Sequence, residues 1–217
     1  MNNHPPLEVK VWGELACFTR PEMKAERVSY PVMTPSAARG MLEAIFWKPE
    51  FSWQVREIWV LKEIRHFSIL RNEVNSKAVV ATAQRWAESG GGYFAEEDRA
   101  QRHTLALRDV AYIIKADIVL APHATDDVAK YRDQFRRRVN HGECYHRPYL
   151  GCREFAAFFG PPDGTERPID LTDELGLVLF DLDYAKDGSG RGVPRFFRAR
   201  LESGILHVPT ELYSGGG

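Results

Sequence analysis

Residues 110–120 read VAYIIKADIVL, an apolar, β-branched run interrupted only by Lys115 and Asp117. A run of this kind is expected as a strand in the middle of a sheet, covered on both faces. The neighbouring segments are read against it. Leu7–Thr19 alternates apolar and polar residues and predicts a first strand, with Gly13 marking a bulge or a close approach. Thr34-Pro35-Ser36 opens a helix running from Ala37 to Trp47, with Ser36 as its N-cap and Pro49 as its stop. Phe51–Ile64 and His66–Val74 predict two further strands, and Asp126–Asn140 a second helix. Acids stand at the start of that helix, Arg136-Arg137-Arg138 in its last turn, and Gly142 as its C-cap. Glu154–Phe159 closes the series as a short strand.

Leaving aside the shorter strand His66–Val74, the resulting order, β–α–β–β–α–β, predicts an α+β fold of the ferredoxin-like kind, which is also the framework of the RNA-recognition motif. Residues 75–104, with Ser89-Gly90-Gly91-Gly92 among them, break the pattern and predict an inserted hairpin region. Pro161-Pro162-Asp163-Gly164 marks a boundary between a domain over 1–160 and a small antiparallel β-rich extension over 161–217. Strands are expected there at Gly176–Tyr184, Arg195–Leu201 and Gly204–Pro209. Tyr112 is the only aromatic residue of the central run, so the aromatic signature of the RNA-recognition motif proper is missing.

At 217 residues, 44% hydrophobic and 27% charged, the chain can bury a core without disulfides or metal. Its cysteines, Cys17, Cys144 and Cys152, make no disulfide framework. No apolar run reaches the roughly 18 residues of a membrane span, so a cytoplasmic protein with no membrane partner is expected. A net charge of −1 conceals a segregated map, with seven Lys/Arg against two acids from Lys130 to Arg153 and seven acids against one Arg from Asp163 to Asp183. Such a map can build a basic face on a nearly neutral molecule. His141, Cys144, His146 and Cys152 follow the spacing of no common zinc finger or ribbon, and no metal is expected there. Gly188-Ser189-Gly190-Arg191-Gly192 lacks the strand–loop–helix setting of a phosphate loop and reads as a turn that can touch RNA through Arg191.

Three stretches in order, PSAARGMLEAIFWKPEFSW (Pro35–Trp53), ILRNEV (Ile69–Val74) and CYHRPYLGCREF (Cys144–Phe155), resemble the CRISPR-associated Cas-five proteins of subtype I-C. These are pre-crRNA endoribonucleases of the RAMP superfamily. The resemblance spans most of residues 5–160 and implies a ferredoxin-like domain with a β-rich extension. It implies that the chain cuts the repeat stem-loop of CRISPR precursor RNA, without metal or other cofactor. It further implies that the chain stays on the product within the type I-C effector complex. Duplex DNA is a further contact compatible with this reading, since phosphate contacts are not sequence-specific.

Metal-free cutting needs a base for the ribose 2′-OH, an acid for the leaving 5′ oxygen and a cation for the phosphorane. The resemblance implies a tyrosine at the end of the first helix, and a lysine and a histidine on the central strand. Here those positions hold Phe46, Lys115 and Asp117. Phe46 has no proton to move, and an ordinary carboxylate is a poor acid at neutral pH. His66, His141 and His146 are the imidazoles that can substitute. RNA contact is expected from Arg39, Arg71, Arg136, Arg137, Arg138, Arg147 and Arg153, with Tyr145 and Tyr149 stacking on bases. These groups are expected to converge beside Lys115.

Overall fold

The computed structural model describes residues 4–23, 25–77, 79–184 and 192–214. Its elements are β1 (Leu7–Ala16), β2 (Arg27–Val28), α1 (Pro35–Ile45), β3 (Phe51–Val60), β4 (His66–Val74), α2 (Val80–Ser89), β5 (Arg99–Leu120), α3 (Val128–His141), β6 (Phe158–Gly160), β7 (Asp173–Tyr184), β8 (Gly192–Glu202) and β9 (Ile205–His207). Mixed α and β structure is built around one sheet, ordered β6-β1-β5-β3-β9-β8-β7, whose pairings along that order are antiparallel. The apolar run of β5 lies between β1 and β3, as its composition requires. The segment after residue 161 continues this sheet, because β9 pairs with β3 and brings β8 and β7 with it.

Parity along the strands separates two faces. Val9 and Val11 of β1, Tyr112, Ile114 and Ala116 of β5, and Val55 and Ile58 of β3 share one buried cluster with residues of α1 and α3. Glu8 is paired with Lys115, and Lys115 with Glu57, so these side chains share the opposite face. The helix-side core is held by aromatic contacts. Trp53 lies 5.6 Å from Phe51 and 4.8 Å from Phe135, while its indole N–H donates to the Phe46 carbonyl at 3.0 Å.

The N-cap of α1 is Thr34 rather than Ser36, because Pro35 already occupies the first helical position and the hydroxyl before it accepts the Ala37 N–H at 3.2 Å. Replacing Thr34 with alanine is expected to cost about 1 kcal/mol, read as a lower denaturant midpoint at unchanged slope. The helix also stops earlier than expected. Phe46 is already extended (φ −152°, ψ 116°), which turns its ring into the core. Helix α3 follows its sequence signals: Asp127 caps Ala129 N–H at 2.7 Å, and Gly142 closes the helix at φ +67°.

The ends expected for the insertion, 75 and 104, do not coincide with the ends of elements. Residues 99–104 already belong to β5, a 22-residue strand whose N-terminal half pairs with β4 as a projecting hairpin arm. α2 and the turn Ala95–Asp98 occupy the tip of the arm. The strand expected over Glu154–Phe159 begins only at Phe158. The glycine-rich turn with Arg191 lies outside the described residues, apart from Gly192.

Candidate nucleic-acid interface

The segment 142–153, leaving α3 after its Gly142 cap, runs along α1 from end to start. At the C-terminal end of α1 the backbone N–H groups of Tyr145 and His146 both donate to the Ala44 carbonyl, at 2.8 and 3.2 Å. Arg138 reaches the same place from α3. It donates to the Ile45 carbonyl at 3.0 Å and lies over the Phe46 ring at 5.4 Å. These contacts satisfy carbonyls that the end of a helix leaves without partners. Tyr145 is 77% exposed, and its ring meets the His146 ring edge-on at 5.4 Å.

Further along, Tyr149 and Gly151 face α1 across a cleft of about 430 Å³, lined also by Ser36, Arg39, Glu43 and Tyr184. Gly151 is required by its site. Its φ is +83°, and a Cβ there would press on the Cys17 carbonyl. That approach is part of a backbone crossing in which Cys17 N–H donates to the Leu150 carbonyl at 3.0 Å. Gly13 likewise marks a close approach, since a Cβ there would lie 2.6 Å from Leu150.

At the far end of the segment lies the base of the arm. Arg27 bridges Glu154 at 3.0 Å and Glu73 at 3.2 Å, and Glu73 also pairs with Arg71 and, at 3.5 Å, with Arg102. Arg27 contacts the Cys152 sulfur at 3.4 Å. The hydrogen bond from Cys17, aided by Thr19 and the Arg27 charge, draws the Cys152 thiol down, while that bond and burial push the Cys17 thiol up. Nothing in the sequence around Arg27 singled it out, because its partners lie 46 and 127 residues away.

The expected RNA-binding residues therefore differ in their freedom. Arg137, Arg147 and Arg153 are exposed and have no ion-pair partner among the described residues. Arg136 is exposed and bonds Asp133 at 3.2 Å on its own helix. Arg39 is engaged: its guanidinium grips Asp181 through two bonds, at 3.0 and 2.7 Å, and Glu43 at 2.7 Å. Burial weakens its hold on the proton, but these two carboxylates outweigh burial and keep it firmly charged. The Arg71 guanidinium is weakened by burial and by the Arg27 charge.

The expected convergence on Lys115 is not what the structure shows. Lys115 and Asp117 lie on the sheet face turned away from α1, whereas Phe46 is buried among Phe51, Trp53 and their neighbours on the helix side. Lys115 bonds Glu8 at 3.0 Å, lies 4.0 Å from Glu57 and sits over the Trp59 ring at 3.9 Å, with only 18% of its side chain exposed. Asp117 is held by Arg56 at 2.7 Å. The three positions taken from the resemblance thus do not form one centre. Of the substitute imidazoles, His66 opens β4 at the arm's base, His141 sits 3.7 Å from Glu143, and His146 stands at the end of α1. His141, Cys144, His146 and Cys152 do not come together: Cys152 is buried beside Cys17, Cys144 is exposed, and no metal-holding cluster occurs among the described residues.

Sheet, helices and segment 142–153 together carry all three sequence words noted above, and comparison with known proteins places them. The chain belongs to the CRISPR-associated protein (Cas_Cas5) family, whose Cas5d profile matches residues 6–209. It is 50% identical to the CRISPR pre-crRNA endoribonuclease Cas5d of Thermus thermophilus, over 95% of this chain and 93% of that one. To the enzyme of the same name from Mannheimia succiniciproducens it is 41% identical, over 94% of each chain. The solved structure of a CRISPR-associated protein superposes with a TM-score of 0.67 at 20% identity, over 97% of this chain and 96% of its own, a likeness of fold.

Proposed function

We propose that this chain is an endoribonuclease that cuts CRISPR precursor RNA within its repeat and then stays on the guide RNA as a subunit of the type I-C effector complex. The observation that carries this is identity of 50% and 41%, over nearly the whole chain, to two proteins named for that activity. The order β6-β1-β5-β3, with α1 between β1 and β3 and α3 between β5 and β6, supports the ferredoxin-like reading of the first 160 residues. RNA lies along α1 and segment 142–153, where Arg147 and Arg153 offer free charge and Tyr145 and Tyr149 offer stacking surfaces, and it reaches Arg137 on α3. The same phosphate contacts serve duplex DNA, since they carry no sequence information. The site of action is the cytoplasm, where the precursor transcript is made. No described helix is long and apolar enough to cross a membrane.

Cutting proceeds by attack of the 2′-OH on the adjacent phosphorus, which needs no metal. Purified protein mixed with its own repeat RNA in EDTA is expected to make a single cut that leaves a cyclic phosphate and a 5′-OH. Phe46 at the tyrosine position supports a second reading, a guide-RNA subunit that binds without cutting. Tight binding with the RNA left whole selects that reading and rejects the first.

A further inference from the structure

Building on the endoribonuclease reading, we infer that the cutting centre lies at the C-terminal end of α1, with His146 as the base and Tyr145 as the acid. The reaction requires a proton acceptor and a proton donor within the span of one phosphodiester, beside a cation. Phe46 cannot exchange a proton, and Lys115 and Asp117 face the other side of the sheet in ion pairs of their own. Segment 142–153 delivers the missing groups to the place that Phe46 leaves without them.

The geometry is specific. Two successive N–H groups fixed to the Ala44 carbonyl hold the backbone of Tyr145 and His146 against the helix, and the two rings stand 5.4 Å apart, edge to face. Both side chains are exposed, so RNA can reach them. Arg138 is anchored at the same helix end by its bond to the Ile45 carbonyl, while its Nε is buried without a hydrogen-bond partner. An unpaired buried nitrogen of a cation is costly, and an anion bound nearby offsets that cost. Arg147, exposed and adjacent in sequence, adds a guanidinium with no ion-pair partner among the described residues.

In the step, the 2′-O–P bond forms and its proton passes to the His146 imidazole. The P–O5′ bond breaks and the leaving oxygen takes the Tyr145 phenolic proton. The proton on His146 returns to Tyr145 through solvent, and no co-reactant is consumed. Arg138 and Arg147 face the charge that builds on the phosphoryl oxygens.

Single-turnover cutting of the repeat hairpin in EDTA, with RNA affinity measured alongside, tests this. His146→Ala is expected to slow cutting by at least about 100-fold, Tyr145→Phe by about 10-fold or more, and both to keep affinity within about threefold. Added imidazole is expected to restore part of the His146→Ala rate, which a merely structural histidine would not allow. Cutting by His146→Ala at the wild-type rate overturns the assignment while leaving the endoribonuclease reading intact. So does loss of cutting in Lys115→Ala with His146→Ala unimpaired, which returns the centre to the open sheet face. Wild-type protein that leaves RNA whole overturns the reading underneath, and this assignment with it.

Discussion

Alanine at Arg137, Arg147 and Arg153 together is expected to weaken binding of repeat RNA roughly 100-fold at about 0.15 M salt, and to lower the slope of log affinity against log salt by about 2 to 3. The size follows from ion release: each phosphate contact frees somewhat less than one counterion, and three are removed. These arginines are chosen because no carboxylate among the described residues neutralises them. Arg39, by contrast, would have to surrender Asp181 and Glu43 before it could hold a phosphate. Anisotropy titrations over a range of salt give both quantities at once. An unchanged slope would place the RNA elsewhere and remove the strip along α1 from the account.

Gly151→Ala is expected to destabilise the fold by about 4 kcal/mol, or roughly 8–16 °C in Tm for a chain of this size. Two independent costs add. At φ +83° an L-residue is strained, and the new methyl group meets the carbonyl carbon of Cys17 at 2.7 Å, where backbone rather than a flexible side chain must give way. The damage is local to the crossing of β1's exit and segment 142–153, so RNA affinity falls with stability as Tyr149 and Arg153 lose their placement. Thermal unfolding followed by circular dichroism measures it. A Tm within about 2 °C of the wild type would show that the crossing adapts without cost.

Much of this architecture was legible because its signals are local. The parity of β1, the apolar run of β5 and the caps of α3 each lie within a window of about 15 residues, and each element formed where its own residues placed it. The N-terminal half of β5 was not legible, because Gln101, Arg102 and His103 stand in an arm with no core to impose a pattern. Only pairing with β4 makes that half a strand. The site divides in the same way. The resemblance identified which residue types to expect, and the charge of the 142–153 segment marks it as a candidate. The face of the sheet was decided by partners far apart in sequence. Arg56 is 61 residues from Asp117, and Glu8 is more than a hundred from Lys115. Whether a cation is free depends on such distant partners, which is why Arg39 reads as available and is not.

Strand β5 has a mechanical consequence. One unbroken backbone supplies both the middle of the sheet and one leg of the projecting hairpin, with Asp109 at φ +52° where the two parts meet. The ladder with β4 ends at Leu107 and that with β3 begins at Tyr112, while β1 spans the join by pairing Leu15 with Arg108 and Gly13 with Val110. A displacement of the hairpin is therefore felt first where β1 clasps β5 on both sides of Asp109.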